Sequence, residues 1–187
     1  MKRIILTERD EKIIEFLNTF KVATTSTIAT IFFNSSKRPC TRRLKHLREH
    51  GFIKSSQEFV CLEQIHYINK KPTQLKHSTI VTNFISKLYE NNVEILKCKS
   101  EFKIGNVRCD LLVVFRLNNN VVIYFVEVCN TKPFDINKYI NLYKSNKWKE
   151  YFPVFPKILS ISDKEIEENS NLNINKCSLN LEDLKIE

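Results

Sequence analysis

The first third of the chain predicts three short helices, because its apolar residues recur at intervals of three and four. Thr7 precedes the first helix and fits the first position of a capping box. The second helix begins at Thr24 or Thr25. The third begins after Ser36, a residue that can cap it, and ends at Gly51, where glycine favours the left-handed conformation that follows many helices.

Two stretches of alternating apolar and polar residues come next, over 52–56 and about 59–68. They predict a β-hairpin, and the loop between them would be the wing of a winged helix-turn-helix. Lys70-Lys71-Pro72 ends this pattern. We therefore divide the chain into a winged helix-turn-helix domain over 1–75 and a second domain over 76–187.

The sequence of the second domain predicts a small mixed α/β fold, because helical and strand patterns alternate along it. In order they give a helix over 78–91, strands over 94–103, 107–116 and 121–129, a helix over 135–150 and a strand near 154–161. Short elements finish the chain, the last near 180–186. Asn118-Asn119-Asn120 joins two of these strands as a tight turn. The predicted fold class of the whole chain is α+β.

The positive charge is concentrated in the first domain. Residues 1–79 contain 15 Lys and Arg against 7 Asp and Glu, whereas residues 80–187 contain 15 against 14. A basic domain joined to a nearly neutral one indicates a polyanionic partner for the basic domain.

The rest of the composition limits the class of protein. Hydrophobic residues make up 42% of the chain, and the 6 cysteines form no CxxC pair, which indicates reduced thiols in a cytoplasmic protein. No apolar run reaches the roughly 18 residues of a membrane span. The first residues, MKRIILTERDEK, carry charge on both sides of a short apolar run. We therefore expect neither membrane association nor a signal peptide.

The third predicted helix has one apolar side, formed by Cys40, Leu44 and Leu47, and one basic side. Such a helix suits the DNA major groove, because long basic side chains reach guanine edges and phosphates while the apolar side packs on its own domain. The predicted DNA contacts come from this helix, the hairpin and its flanks: Arg38, Thr41, Arg42, Arg43, Lys45, His46, Lys54, Lys70 and Lys71.

Other interpretations of this helix are a solvated basic face and a winged helix that contacts only protein. His46 to His50 also spells HxxEH, a spacing with which some proteases hold zinc. Those enzymes need a larger domain and a further carboxylate ligand, so we expect His46 and His50 to be phosphate contacts or surface residues.

Two acids interrupt apolar strands of the second domain, Asp110 in the strand over 107–116 and Glu127 in the strand over 121–129. A buried acid is costly unless it meets a partner or a metal. If these strands pair across the asparagine turn, the two carboxylates approach each other. Asp110 and Glu127 would then be the ligands of any bound Mg²⁺.

Asp110 followed by Glu127-x-Cys129 resembles the core of PD-(D/E)xK nucleases, with cysteine where the catalytic lysine belongs. That lysine orients the attacking water and stabilises charge that develops on the phosphate, which a thiol does poorly. Lys132 or Lys138 could supply the missing ammonium, and Lys138 is the better candidate. An active nuclease would therefore use Asp110, Glu127 and Lys138. The alternative is a pair of acids with a structural role only.

With both halves considered, the chain resembles the replication-relaxation family of plasmids and conjugative elements. The first half carries the resemblance in LTERDEKIIEFLNTFKVATTSTIATIFF, RRLKHLREHGFIK and HYINKK. The second half carries it in HSTIVTNFISKL, RCDLLVVF, YFVEV and NKYINLY, so that it spans about 6–145. The resemblance implies a winged helix-turn-helix fused to a degenerate nuclease-like domain. Members often have an acid followed by Asp where this chain has Glu127-Val128-Cys129.

We therefore expect a DNA-binding accessory or regulatory protein of a mobile genetic element, acting on double-stranded DNA in plasmid replication or conjugative transfer without a cofactor. The second domain would serve as a homodimer contact, as a docking site for a relaxase or replication initiator, or as a secondary DNA contact. A Mg²⁺-dependent nuclease and a transcriptional regulator remain the alternatives.

Overall fold

Two units, each with its own sheet and apolar core, make up this α+β chain. The computed structural model describes residues 5–57, 63–167 and 169–186. Contacts group the chain into residues 1–91 and 92–187. In the described ranges, no helix has both the length and the apolar character needed to cross a membrane.

In its described residues, the first unit has three helices before its hairpin and one after it. The elements are α1 (Glu8–Phe20), β1 (Ala23–Thr24), α2 (Thr25–Phe32), α3 (Lys37–Glu49), β2 (Lys54–Ser56), β3 (Ile65–Tyr67) and α4 (Leu75–Glu90). β3 lies between β1 and β2 and is antiparallel to both. The three predicted helices are confirmed. Residues 58–62, which include Cys61 and part of the predicted wing and strand, lie outside the described residues.

The helix caps explain where the first helices begin. Thr7 and Asp10 form the predicted capping box, in which the backbone N–H of Thr7 donates to Asp10 Oδ2 at 2.7 Å. Thr24 caps α2, since its hydroxyl accepts from the backbone N–H of Thr27 at 3.1 Å. Ser36 precedes α3 but makes no capping hydrogen bond with its side chain, so that expectation was wrong.

The last helix of this unit, α4, was predicted to open the second domain, with a boundary at 75/76. The contacts instead place α4 with the first unit, where it packs against α1, α2 and β1. One such contact is the hydrogen bond from the Thr27 hydroxyl to Asn83 Oδ1 at 2.8 Å. An apolar helix face shows that the helix is buried but not which sheet or helix it covers.

The second unit is a five-stranded sheet with a helix on one face. Its elements are β4 (Glu94–Ile104), β5 (Val107–Leu117), β6 (Asn120–Val128), α5 (Ile136–Ser145), a 3₁₀ turn (Lys147–Glu150), β7 (Lys157–Ile161) and β8 (Ile174–Cys177). β4, β5 and β6 form an antiparallel meander, and β7 and β8 extend it in parallel. The predicted meander and its tight turn are confirmed, although the turn consists of Asn118 and Asn119 only, since Asn120 already belongs to β6.

Three predictions for this unit needed correction. The helix over 135–150 is interrupted at Asn146, whose φ of 56° ends α5 in a left-handed residue. The strand near 154–161 begins only at Lys157, after Pro156, which has no backbone N–H to donate. β8 lies where only short elements of no assigned type were predicted, and no described residue of 180–186 is in a helix or strand.

The core of the second unit determines where Glu127 of β6 lies. Phe125 stacks on Tyr139 of α5, with ring centroids 5.8 Å apart, and both side chains are completely buried. Side chains alternate along a strand, so Glu127 lies on the same face as Phe125. Glu127 therefore extends beneath the first turn of α5.

Candidate functional site

Helix α3 presents an exposed basic face in the first unit. Cys40, Leu44 and Leu47 are at most 1% exposed and pack the opposite side into the core, as the sequence predicted. The solvent side contains exposed residues at most of the predicted contact positions: Arg38, Thr41, Arg42, Lys45 and His46. A shallow open groove runs over this side, lined by Lys37, Arg38, Pro39, Thr41, Arg42 and Lys45.

The two arginines of this face form no ion pair within the described part of the chain, and Lys45 has only a long, exposed one, with Glu49. Neither Arg38 nor Arg42 forms a salt bridge there. Lys45 lies 3.8 Å from the carboxylate of Glu49, a separation too long for a hydrogen bond. The Thr41 hydroxyl donates to the carbonyl of Lys37 at 2.9 Å. The face therefore keeps a positive potential directed at solvent.

Arg43 points away from this face. Its Nε donates to Asp10 Oδ1 at 2.9 Å and its Nη2 donates to the backbone carbonyl of Ile5 at 3.0 Å. Asp10 has no exposed surface. Although burial opposes ionisation of Asp10, the Arg43 guanidinium and the Thr7 donors outweigh it and lower the pKa of the carboxyl to about 2. In this arrangement Arg43 positions α3 on α1.

The predicted contacts outside α3 lie at the hairpin and the segment after it. Lys54 is exposed in β2, and its Nζ donates to the carbonyl of Asn69 at 2.8 Å, which joins β2 to that segment. Lys70 and Lys71 follow and are exposed. Arg48 was not among the predicted contacts, yet it is exposed and its Nη1 donates to the Ser55 hydroxyl at 3.0 Å.

The HxxEH sequence covers the last turn of α3 and His50, the residue that follows the helix. Nδ1 of His50 lies 2.9 Å from the backbone carbonyl of His46, so this ring is engaged with its own helix. Among the described residues, no group of three or more His, Cys, Asp and Glu side chains could hold a metal ion.

In the second unit, Glu127 is the centre of a buried polar cluster. Its Oε1 accepts a hydrogen bond from Lys138 Nζ at 2.6 Å and another from the Tyr139 hydroxyl. Asp135 caps α5 by accepting from the backbone N–H of Asn137 at 3.1 Å, which places Lys138 and Tyr139 in the first turn. Lys138 Nζ also donates to the carbonyl of Arg108 at 3.1 Å.

Asp110 lies beside this cluster. Leu111 pairs with Val126 in the β5–β6 ladder, and Asp110 and Glu127 are the next residues along the two strands. Asp110 Oδ2 accepts from the backbone N–H of Val128 at 2.8 Å. The strands therefore bring the predicted carboxylates together, and α5 brings Lys138 to them.

Burial determines the protonation of this cluster. It raises the pKa of the Glu127 carboxyl; the Lys138 ammonium opposes this shift, while the negative charge of Asp110 adds to it. Burial and the Glu127 charge raise the pKa of Tyr139, which stays a neutral donor. Burial also raises the pKa of the Cys129 thiol, so at neutral pH it is neither a base nor an anionic ligand.

The cluster offers a magnesium ion two carboxylate side chains as ligands, Asp110 and Glu127. Asp110 and Glu127 supply the carboxylate oxygens that Mg²⁺ prefers, and water and substrate phosphate would have to complete its coordination. Lys138 already lies within hydrogen-bonding distance of one of these carboxylates. The chemistry of the donor set is therefore compatible with the nuclease alternative.

Sequence reasoning missed two participants, Tyr139 and Asp10. Tyr139 belongs to an ordinary apolar helix pattern, and only the alignment of α5 over β6 shows that its hydroxyl meets Glu127. Asp10 was recognised as a capping residue but not as the partner of Arg43, 33 residues away. No family model matches the chain, and no curated protein or solved structure is significantly similar to it.

Proposed function

We propose that this protein binds double-stranded DNA through α3 and the following hairpin, as an accessory or regulatory protein of a mobile genetic element. The observation that carries the proposal is the exposed basic face of α3, where Arg38 and Arg42 form no salt bridge with any described residue. Unpaired guanidinium groups on one side of a helix suit both guanine edges and phosphates.

The order of elements supports a winged helix-turn-helix as the carrier of that face. The chain runs α1, β1, α2, α3, β2, β3, and β3 lies between the two other strands. Asn34 and Ser35 have φ values of 47° and 62°, and these two left-handed residues form the sharp turn between α2 and α3. In a helix-turn-helix, the helix after such a turn enters the major groove.

The burial of α3 also supports this role. A recognition helix has to be held firmly on its own domain while its outer side faces DNA. Cys40, Leu44 and Leu47 hold α3 through the apolar core, and Arg43 holds it through Asp10. The outer side chains therefore project from a fixed support.

Action in plasmid replication or conjugative transfer rests on the resemblance to the replication-relaxation family. The same resemblance supports a relaxase or replication initiator as a protein partner. A transcriptional regulator would use the same DNA-binding face, so the genes that neighbour this one would separate the two roles.

The experiment that tests DNA binding compares two double variants by fluorescence anisotropy on a random-sequence duplex of about 30 base pairs. Arg42→Ala with Lys45→Ala should weaken binding and reduce the slope of log K against log salt by about 1.8, since each lost phosphate contact contributes about 0.9. Selection from a random duplex library would then identify any preferred site.

Lys12→Ala with Lys87→Ala is the charge control, because it removes two lysines of the same unit that lie outside α3, each paired with a glutamate of its own helix. It should bind the duplex like the unmodified protein. Circular dichroism of both variants confirms that the fold is retained. Equal affinity of the two double variants for the duplex would contradict the proposal.

A second candidate function is a Mg²⁺-dependent nuclease, favoured by the 2.6 Å contact between Lys138 Nζ and Glu127 Oε1 beside Asp110. When bound, the metal would stabilise negative charge on the phosphate. Lys138 would hold the Glu127 carboxylate in place, and its ammonium would lie close to the phosphate. Tyr139, buried beneath them, would keep Glu127 oriented.

Incubation of plasmid DNA with the protein and Mg²⁺ or Mn²⁺ tests this second candidate. Nicking or linearisation that is lost in both Glu127→Gln and Lys138→Met would support it. Because the Arg42 and Lys45 variant keeps the carboxylate cluster, it should still cleave at high protein concentration. Absence of cleavage by pure, folded protein with either metal would rule the nuclease out.

A further inference from the structure

The segment from the middle of α5 to the start of β7 gathers exposed rings and lysines. Among the described residues, seven large hydrophobic side chains are exposed, and three of them lie within 143–154: Tyr143 at 38%, Tyr151 at 58% and Val154 at 60%. Lysines stand between them at positions 144, 147 and 149. Single exposed apolar residues are common, but rings interleaved with cations are typical of surfaces that bind single-stranded nucleic acid.

The positive charge of the second unit is concentrated in this segment. Residues 136–157 contain five lysines and one acid, Glu150, whereas the rest of 92–187 contains 9 basic and 12 acidic residues. Lys138 is paired with Glu127. Lys144, Lys147 and Lys149 form no salt bridge with another described residue. This segment is therefore a local cationic surface in a unit whose charge is nearly balanced.

Two side chains of this segment lie against the ring of Trp148, which is buried. Tyr143 stacks on Trp148, with an interplanar angle of 8°, and Lys149 Nζ lies 5.6 Å from the centre of the Trp148 ring. Lys147 lies along the β4–β5 turn, where its Cδ is 3.8 Å from the position of a Cβ on Gly105. Tyr143 and Lys149 therefore contact the Trp148 ring, and Lys147 lies next to Gly105, before any ligand arrives.

Tyr151 is the ring best placed to stack on a base. It adjoins the buried Phe152, with centroids 6.3 Å apart and planes tilted by 42°, and more than half of its surface is open. Phe152 in turn packs on Phe102, and Lys99 Nζ lies 5.6 Å from the centre of that ring. A cation of the edge strand β4 therefore also lies against this aromatic cluster.

We propose that Tyr143, Lys144, Lys147, Lys149 and Tyr151, here named the aromatic-basic patch, bind single-stranded nucleic acid. The lysines contact phosphates and the ring of Tyr151 stacks on an unpaired base. A duplex is a poorer ligand, because its base faces are already stacked on one another. This activity lies beyond duplex binding by α3 and does not depend on it.

The test measures anisotropy of labelled oligothymidylate and oligouridylate of about 20 nucleotides, with a duplex of the same length for comparison. The protein carries Arg42→Ala and Lys45→Ala, so that α3 contributes little. In this background, adding Lys147→Glu and Lys149→Glu should weaken single-strand binding at least tenfold. Oligothymidylate and oligouridylate offer the same phosphates and similar bases. Whichever of them binds more tightly identifies the ligand as single-stranded DNA or single-stranded RNA.

Substitutions of Tyr151 distinguish the contribution of base stacking to binding from that of charge. Tyr151→Ala should weaken single-strand binding about fivefold or more, while Tyr151→Phe keeps the ring and the affinity. Lys176→Glu with Lys185→Glu is the matched charge control, because it reverses two lysines of the same unit outside the patch.

The proposal stands if the patch variants lose affinity for single strands while the charge control and Tyr151→Phe keep it, with all proteins folded by circular dichroism. It is overturned if Lys147→Glu with Lys149→Glu binds like its background, or if Tyr151→Ala changes nothing. Equal loss in the charge control would also overturn it, since net charge alone would then account for binding.

Discussion

Arg43 of α3 holds the buried carboxylate of Asp10 in α1 through its Nε and Nη2, at 2.9 and 2.5 Å. The same carboxylate accepts the backbone N–H of Thr7 and so closes the capping box at the start of α1. One buried acid therefore fixes both the beginning of α1 and the placement of α3. Any proposed contact between α3 and DNA depends on this support.

We predict that this pair makes the first unit sensitive to acid. The pKa of Asp10 is about 2 in the folded protein and 3.8 when unperturbed, so ionised Asp10 stabilises the fold by about 2 kcal/mol at neutral pH. Because the folded pKa is the lower one, this contribution is complete above about pH 5 and is lost as the pH falls toward 2. Urea unfolding between those pH values measures it.

Asp10→Asn is the control for that prediction. It removes the titration, so part of the decrease in unfolding free energy between about pH 5 and pH 2 should disappear, while stability at pH 7 falls by about 2 kcal/mol. If the variant and the unmodified protein lose the same stability over this range, Asp10 is not the group responsible.

The neighbouring arginines Arg42 and Arg43 should separate DNA binding from stability. Arg43→Ala leaves the charge of Asp10 buried without its partner and should destabilise the first unit by about 3 kcal/mol. Arg42→Ala removes an exposed side chain, so it should change stability by less than about 0.5 kcal/mol and weaken duplex binding. Thermal unfolding and anisotropy on the same samples measure both effects. The reverse pattern would contradict the placement of these two residues.

These arginines also show how far the sequence alone reaches. The helical period correctly separated the buried Cys40, Leu44 and Leu47 from the exposed Arg38 and Arg42, because it depends only on residues within α3. It listed Arg43 with the predicted DNA contacts and could not identify Asp10 as its partner. That contact depends on how α1 and α3 pack, which no local pattern contains.

The same distinction holds in the second unit. The strand pattern and the asparagine turn predicted that Asp110 and Glu127 converge, since an antiparallel pair joined by a two-residue turn has a determined register. Lys138 was identified as the better lysine from its place in the next helix. β8 was missed because its short sequence, Ile174–Cys177, alternates weakly and pairs in parallel with β7.

The turn between β5 and β6 provides a further test of local conformation. Asn118 and Asn119 have φ values of 49° and 66°, which suit asparagine and glycine but strain other residues. Asn119→Ala should therefore destabilise the second unit by about 1 kcal/mol, whereas Asn119→Gly should not destabilise it. Thermal unfolding measures the order of the three proteins. If the alanine variant is as stable as the glycine variant, the turn does not need a left-handed residue.

The Glu127 cluster should respond to pH in the direction opposite to Asp10. Burial raises the pKa of Glu127 above 4.5, so its effect on stability is most favourable below that value and is lost as the pH rises through the higher folded pKa. Lys138→Met removes the cation that limits this shift. The variant should therefore lose more unfolding free energy at about pH 7.5 than at about pH 5, which urea unfolding measures. The double variant with Glu127→Gln is the control and should show no such difference. An equal loss at both pH values would mean that Lys138 acts through packing and not by stabilising the Glu127 carboxylate.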